Sequence, residues 1–394
     1  MEHENKREFG QVRVGLKARF FQVLCVAGVL ALSSCEGSGK FFPDPCKTNC
    51  PTTGNSGNYI YVANSSTAVS SVAGFTITTT PAVNALANSP YVTGLPPNAL
   101  AVTPKNTFLY IGSLSGGIYA YTINADGTIT VANSGSPVAT GVSPIAMKVD
   151  PTGQWLIAAD LSPAAYVFAI NASTGALTTQ GNAIALDTGN TSNLYITPNG
   201  QYVFISLGTG GVDILTLNTT TGVINKLNQI LNPKASTNAD LGLGSDPSSK
   251  YLFVTETGIN SLRVLSINTT GNATLTELAT SPTATGLGPS QVLVTKDGSY
   301  VYVTNRTDGT ISGFTLAANG SLTVLSGSPY TTGSAPVDIT EDSTHSYIAV
   351  ACAGGNPDLQ VFQIDTTTPG KLDAFASKTT GTDPTLASAI ASTN

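Results

Sequence analysis

Residues 299–314 read SYVYVTNRTDGTISGF, in which alternating apolar residues are followed by a polar turn with glycine and a second short alternating run. The chain repeats this pattern seven times. The repeated strand begins at Tyr59, Phe108, Trp155, Tyr202, Tyr251, Tyr300 and Tyr347, so the spacings are 49, 47, 47, 49, 49 and 47 residues. A fixed period in this range indicates a solenoid or a propeller.

Each repeat contains four strand-like runs separated by turn residues. In the sixth repeat the runs are QVLVT (291–295), YVYVT (300–304), ISGFTL (311–316) and LTVLS (322–326). Their connections contain Asp297-Gly298, Asp308-Gly309 and Asn319-Gly320, pairs that are typical of hairpin turns. No segment shows a convincing amphipathic helical pattern. The sequence therefore predicts an all-β fold, a seven-bladed β-propeller of four-stranded antiparallel blades over residues 58–394.

The two ends of the repeat region predict how the ring closes. The first repeat begins at the second strand of a blade, at Tyr59, and the chain finishes with DPTLASAIAS, which matches the first strand of the other repeats. We expect residues 385–391 to supply the innermost strand of the blade begun at Tyr59, which would leave no long open edge. The alternative is an open solenoid, which would require capping segments.

The N-terminal region has the features of an export signal. Basic residues between positions 6 and 19 precede the apolar run 20–32, and Leu32-Ser33-Ser34-Cys35 resembles a bacterial lipobox. This predicts a lipoprotein signal peptide over residues 1–34 and a lipidated Cys35 at the start of a flexible tether, 35–57. The protein would then be anchored to the membrane by its lipid, at the outer membrane or periplasmic face of the cell envelope. An ordinary secretory signal is the alternative.

Composition narrows the classes of partner and cofactor. Charged residues make up 10% of the chain, 17 Lys and Arg stand against 23 Asp and Glu, and the pI is about 4.9, which argues against nucleic acid as a partner. Cys46 and Cys50 are predicted to form a disulfide in an exported protein, although either one pairing with Cys352 stays open. With only two histidines, a zinc site is a weak alternative, so we expect no metal and no cofactor, and a monomer.

Two rings of seven mouth positions lie at the ends of the second strands, where a propeller usually carries its site: the last residue of each strand and the residue after it. In the two rings of residues at these strand ends, Arg306 is the only cation, and Asp160 and Glu256 are the only carboxylates. Asn305 precedes Arg306 in the sixth repeat. Near the tops of the inner strands lie three further polar candidates for ligand binding, Asn193, Gln291 and Asp338.

The repeat resembles lactonase-type seven-bladed propellers, the 6-phosphogluconolactonase-like family, and the related YVTN-repeat proteins. Tyr302-Val303-Thr304-Asn305 spells the repeat name, and Val303-Thr304-Asn305-Arg306 falls where lactonase-type members carry S-N-R-G. The resemblance implies that Arg306 meets an anionic part of the substrate. Two other family motifs differ: Thr255-Glu256-Thr257 stands in place of N-E-L, and Asp240-Leu241-Gly242 in place of an Arg-His pair.

Three functions are compatible with these residues. The favoured one is a binding propeller whose mouth holds a small molecule, glycan or protein. The second is a lactone hydrolase with Glu256 as base and Arg306 as electrostatic partner, since lactone opening needs an activated water and a stabilised oxyanion. The third is a structural subunit of an envelope assembly. The sequence also predicts buried second-strand residues at Trp155, Phe204, Phe253 and Tyr302, and a solvated turn at His345.

Overall fold

The computed structural model describes residues 57–65, 70–78, 82–234, 237, 242–268, 274–354, 357–380 and 387–394. The predicted signal peptide, the lipidation site Cys35 and the predicted Cys46–Cys50 disulfide lie outside these residues. Within them, no helix has the length and apolar character needed to cross a membrane.

Seven antiparallel sheets form the described part of the chain, and we number them as blades 1 to 7 in chain order. Blade 1 contains β1 (Tyr59–Asn64), β2 (Ser71–Thr78), β3 (Ala82–Ala85) and β4 (Tyr91–Val92). Blade 2 contains β5 (Pro97–Val102), β6 (Phe108–Ser113), β7 (Gly117–Ile123) and β8 (Ile129–Val131). Blade 3 contains β9 (Pro144–Val149), β10 (Trp155–Asp160), β11 (Ala164–Ile170), β12 (Leu177–Thr179) and β13 (Ile184–Ala185).

Blade 4 contains β14 (Asn193–Ile196), β15 (Tyr202–Ser206), β16 (Val212–Leu217) and β17 (Ile224–Leu231). Blade 5 contains β18 (Leu243–Ser245), β19 (Tyr251–Glu256), β20 (Ser261–Asn268), β21 (Thr274–Glu277) and β22 (Thr283–Ala284). Blade 6 contains β23 (Pro289–Val294), β24 (Tyr300–Asn305), β25 (Thr310–Leu316), β26 (Leu322–Val324) and β27 (Tyr330–Thr331). Blade 7 contains β28 (Pro336–Glu341), β29 (Tyr347–Cys352), β30 (Leu359–Ile364) and β31 (Leu372–Lys378). The last strand is β32 (Ala387–Ser392), and single 3-10 turns lie at Asn133–Gly135, Gly208–Gly210 and Thr257–Ile259.

The ring closes as the sequence predicts. The last strand, β32, pairs antiparallel with β1, with Ile60 opposite Ser392 and Val62 opposite Ile390, and so becomes the inner strand of blade 1. In the other six blades, four consecutive strands follow one another from the inside to the outside. The prediction of a closed seven-bladed propeller with four-stranded antiparallel blades is confirmed.

A recurring hairpin joins the inner strand to the second strand on the face opposite the mouth. In blade 3, the Asp150 carboxylate accepts the amide N–H of Trp155 at 2.8 Å, and the Asp150 N–H donates to the Trp155 carbonyl at 2.8 Å. Blade 1 has the same two bonds without a connecting loop, because the Thr393 hydroxyl accepts the Tyr59 N–H at 2.9 Å and the Thr393 N–H donates to the Tyr59 carbonyl at 3.0 Å. The equivalent residues of the other blades are Thr103, Thr197, Asp246, Thr295 and Asp342.

The second strands form the core, since both faces of each blade pack against a neighbouring blade. Phe204, Phe253 and Tyr302 are fully buried and Trp155 is 8% exposed, which confirms the burial predicted for these four residues. Several second-strand aromatics also hydrogen-bond the next blade, as when the Tyr302 hydroxyl donates to the Gly370 carbonyl at 2.7 Å. Such bonds satisfy a buried hydroxyl and connect adjacent blades.

His345 lies in the inner hairpin of blade 7, with a left-handed φ of 57°, so the predicted turn is confirmed. Its imidazole Nδ1 lies 3.2 Å from a Glu341 carboxylate oxygen on the face opposite the mouth.

Candidate functional site

The inner strands surround a central channel, and alternation of their side chains decides which residues face it. One residue of each blade lies four positions before the hairpin residue (Thr103 and its equivalents), and we call these seven residues the upper ring. They are Ala99, Ala146, Asn193, Gly242, Gln291, Asp338 and Ala389. All of these except Gly242 line a cavity of about 120 Å³, together with Lys148 from two positions deeper in blade 3. The sequence candidates Asn193, Gln291 and Asp338 therefore lie around one space.

The cavity exists because the upper ring is uneven. Blades 1, 2 and 3 contribute alanine, whereas Asn193, Gln291 and Asp338 come from blades 4, 6 and 7. Blade 5 has Gly242 at this level, where a Cβ would lie 2.6 Å from the Gln291 Cα and 2.5 Å from the Ser290 carbonyl oxygen. Glycine therefore allows blades 5 and 6 to approach closely, and the three alanines leave open the space opposite the polar side chains.

Polar side chains also connect the exposed edges of neighbouring inner strands. The Asn98 amide donates to the Ile145 carbonyl at 3.1 Å, the Ser290 hydroxyl to the Pro336 carbonyl at 2.9 Å, and the Ser388 hydroxyl to the Pro97 carbonyl at 3.1 Å. Backbone groups at these inner edges have no further strand to pair with, so the side chains satisfy them. These three side chains are therefore committed to the fold.

Asp338 is the one carboxylate that lines the cavity. Its two oxygens accept the N–H groups of Ile339 and Ile390, each at 2.9 Å, and the Gln291 side chain also hydrogen-bonds it. Burial raises the pKa of Asp338 despite the opposing effects of Lys148 and of these hydrogen bonds. A cation or a hydrogen-bond donor entering the cavity would stabilise the ionised form.

Lys148 and Asn193 are not committed in this way. In the part of the chain that the structure describes, neither side chain makes a hydrogen bond or a salt bridge, and both line the cavity, where the Lys148 charge acts on Asp338. Lys148 lies two positions deeper in its strand than the strand tops that predict Asn193, Gln291 and Asp338, so strand tops alone do not predict it. The sequence nevertheless distinguishes Lys148, because no other blade has a charged residue at the equivalent position. The equivalent residues are Ala101, Tyr195, Gly244, Leu293, Thr340 and Ala391.

The mouth residues predicted from the strand ends do not line this cavity. Arg306 is exposed, and its backbone N–H donates to the Gly288 carbonyl at 2.8 Å. Asn305 is buried, and its amide nitrogen lies 3.0 Å from the Thr310 hydroxyl and 3.0 Å from that of Ser312. Asn305 therefore holds the turn that presents Arg306 on the mouth face.

The two mouth carboxylates have structural partners. Glu256 is fully buried, and its carboxylate lies 3.5 Å from the guanidinium of Arg263, which also contacts Glu277 at 3.0 Å. The Asp160 carboxylate accepts the N–H of Ser143 at 2.6 Å and that of Ser162 at 2.8 Å. Both groups thus stabilise loops or strands at the mouth, and their assignment as site residues stays a prediction.

A larger groove of about 500 Å³ lies on the opposite face, between blades 5 and 6. Lys250 lines this groove, and its ammonium group lies 4.8 Å from the centre of the Tyr251 ring and donates to the Ala318 carbonyl at 3.3 Å. Because this cation is already engaged, the channel cavity is the better candidate for a ligand. In the described residues, no group of three or more His, Cys, Asp or Glu side chains is arranged to hold a metal ion.

Comparison with known proteins gives one family and many structures of the same fold. The family model described as "Lactonase, 7-bladed beta-propeller" matches residues 61–388. No curated protein matches the sequence.

Two of the similar solved structures come from named lactonases or candidates for that activity. One is a candidate 6-phosphogluconolactonase from Bacteroides uniformis, 16% identical with a TM-score of 0.68, which covers 86% of this chain and 99% of its own. Another is a periplasmic gluconolactonase from Pseudomonas aeruginosa, 14% identical with a TM-score of 0.64 and the same two coverages. At these identities the likeness shows the fold alone.

Proposed function

Because the chain belongs to the seven-bladed β-propeller lactonase family, we propose that it is an envelope lipoprotein whose propeller binds a small molecule at the mouth end of its channel. The observation that carries the proposal is the upper ring, in which Asn193, Gln291 and Asp338 face three alanines across an open cavity. Polar groups that converge on a pre-formed concave space are the usual signature of a ligand site.

Binding is tested by thermal shift and calorimetry with a panel of aldonolactones, sugar acids and short oligosaccharides. A ligand of the channel should raise the Tm of the wild type, and Asp338→Asn should weaken its binding. Arg306→Ala serves as the mouth control, because Arg306 does not line the cavity. If Arg306→Ala abolishes binding while Asp338→Asn has no effect, the ligand lies on the mouth surface and not in the channel.

The envelope anchor is the second part of the proposal, and it is supported by the Leu32-Ser33-Ser34-Cys35 motif. Labelled palmitate should be incorporated into the wild type but not into Cys35→Ser, and the wild type should sediment with membranes. A wild-type protein that is processed and exported but never labelled would indicate an ordinary signal peptide.

Lactone hydrolysis is the second candidate function, favoured by family membership and by the named activity of the Pseudomonas aeruginosa neighbour. Ring opening needs a base for the attacking water and a donor for the developing oxyanion. The sequence assigns these roles to Glu256 and Arg306, but the Glu256 carboxylate is occupied by Arg263. Asp338 has a raised pKa and lies in the same cavity as Lys148, so the channel offers a second base and cation.

A pH-stat assay over several lactones separates these assignments. Loss of turnover in both Glu256→Gln and Arg306→Ala, with unchanged melting temperatures, supports the mouth pair. Loss in Asp338→Asn and Lys148→Met alone moves the reaction to the channel. Absence of turnover on every lactone leaves the binding function.

A further inference from the structure

We propose that the upper ring and Lys148 form a site for a small carboxylate that carries a hydrogen-bond donor beside its carboxyl group, as an α-hydroxy or α-amino acid does. This inference rests on the proposed function and names its ligand class. It is carried by the positions of the charged and uncommitted side chains around the cavity.

The carboxylate end of the ligand is set by blades 3 and 4. Lys148 is the one cationic side chain among the cavity-lining residues, and the Asn193 amide lies on the adjacent blade. In the described residues neither side chain makes a hydrogen bond or a salt bridge. The attraction between Lys148 and Asp338 acts across the cavity without using an N–H donor, so both side chains keep their donors for a ligand. An ammonium and an amide offer up to five N–H donors between them, which suits the two oxygens of a carboxylate.

The donor end is set by blades 6 and 7. Asp338 lies three blades away from both Lys148 and Asn193 around the ring, on the other side of the channel. A carboxylate has about four acceptor sites, and two backbone N–H groups and the Gln291 side chain occupy only part of them. A hydroxyl or ammonium group of the ligand would fill the remaining capacity and reduce the cost of burying Asp338.

The size of the cavity limits the ligand. Its volume of about 120 Å³ is well below the roughly 300–1,000 Å³ typical of sites for drug-sized molecules. The alanine side of the ring, Ala99, Ala146 and Ala389, can pack against a short aliphatic group. We therefore expect acids with few heavy atoms to enter, and larger sugars to remain at the mouth.

Four related compounds test the inference: lactate, alanine, propionate and methyl lactate. Propionate lacks the donor, methyl lactate lacks the charge, and lactate and alanine distinguish a hydroxyl from an ammonium. In calorimetry with the full exported protein at pH 7, lactate or alanine should bind at least about tenfold more tightly than propionate and methyl lactate, since loss of a charge-assisted hydrogen bond has roughly this effect.

Variants assign the two ends. Lys148→Met should weaken binding of the acid about tenfold or more, whereas Lys105→Met, which removes an exposed lysine on the opposite face, should leave it unchanged. Asp338→Asn should reduce binding of alanine more than that of lactate. Because Asp338 also accepts backbone N–H groups, Ala146→Leu provides an independent variant that fills the cavity and should abolish binding with all polar groups intact.

Equal binding of propionate and lactate, or full binding by Lys148→Met, would overturn the inference. If none of the four compounds binds while an aldonolactone binds in a manner sensitive to Asp338→Asn, the inference fails and the proposed function stands. If no acid and no lactone binds, both are wrong.

Discussion

Replacing Ile390 by alanine tests the closure of the ring by β32. Ile390 is 5% exposed, pairs with Val62 of β1, and belongs to the apolar cluster that joins blades 1 and 7. The substitution removes three buried carbons, worth about 2.4 kcal/mol by transfer, and leaves a cavity that adds to the cost. We expect the free energy of unfolding to fall by about 3 kcal/mol.

Two variants calibrate this loss. Ile339→Ala makes the same change in the inner strand of blade 7, where Ile339 is 6% exposed, and should cost a similar amount. Val324→Ala alters a residue that is 61% exposed on an outer strand and should change stability by less than about 0.5 kcal/mol. Urea unfolding followed by the fluorescence of Trp155, the one tryptophan of the chain, measures all three.

The test compares the loss of unfolding free energy in Ile390→Ala with the losses in Ile339→Ala and Val324→Ala. If it matches Val324→Ala while Ile339→Ala loses the full amount, β32 does not complete blade 1 in solution. The mouth and channel positions, which depend on a closed ring, would then have to be reassigned.

Three further outcomes concern Glu277, which is half-buried, and Cys352 and Phe204, which are buried. Burial alone would raise the pKa of Glu277, but hydrogen bonds from Lys234, Arg263 and Ser281 hold its pKa below the ordinary value. The resulting stability is present at neutral pH and is lost as the pH falls below about 4.5. Glu277→Gln should therefore lower the free energy of unfolding by on the order of 1 kcal/mol at pH 7 and make the urea midpoint depend less on pH between pH 7 and pH 3. Cys352 is a free, buried thiol whose pKa burial raises to about 11, so roughly one molecule in a thousand is a thiolate at pH 8, and mass spectrometry of its peptide should show alkylation only after unfolding; rapid labelling of the native protein would contradict this. Phe204→Ala should cost about 3–5 kcal/mol in urea unfolding, because the ring is fully buried, and a near-neutral value would mean that the second-strand register is wrong.

The sequence predicted the architecture well because the fold repeats one local pattern. The aromatic residue that begins each second strand and the Asp or Thr five residues before it are joined by hydrogen bonds in the hairpin, so the spacing carries structural information. The closing strand was predictable for the same reason, since ASAIAS matches the other inner strands.

The site was predicted only in part, because it depends on contacts between strands. The tops of the inner strands predict Asn193, Gln291 and Asp338 as site residues, and these three do lie around one cavity. Strand ends do not predict the partner of Glu256, because Arg263 belongs to the neighbouring strand and stands alone within an apolar run. The same register places these two side chains together, but strand ends read one at a time do not show it.

The hairpin of blade 1 has a further consequence for protein engineering. Thr393 and Tyr59 reproduce the contacts of an ordinary hairpin although they lie 334 positions apart in the chain. A short peptide linker from residue 394 to residue 57 would therefore meet two ends that are already adjacent. A circular permutant with that linker, and with new termini cut into the exposed turn 171–174 between β11 and β12, should fold into the same ring.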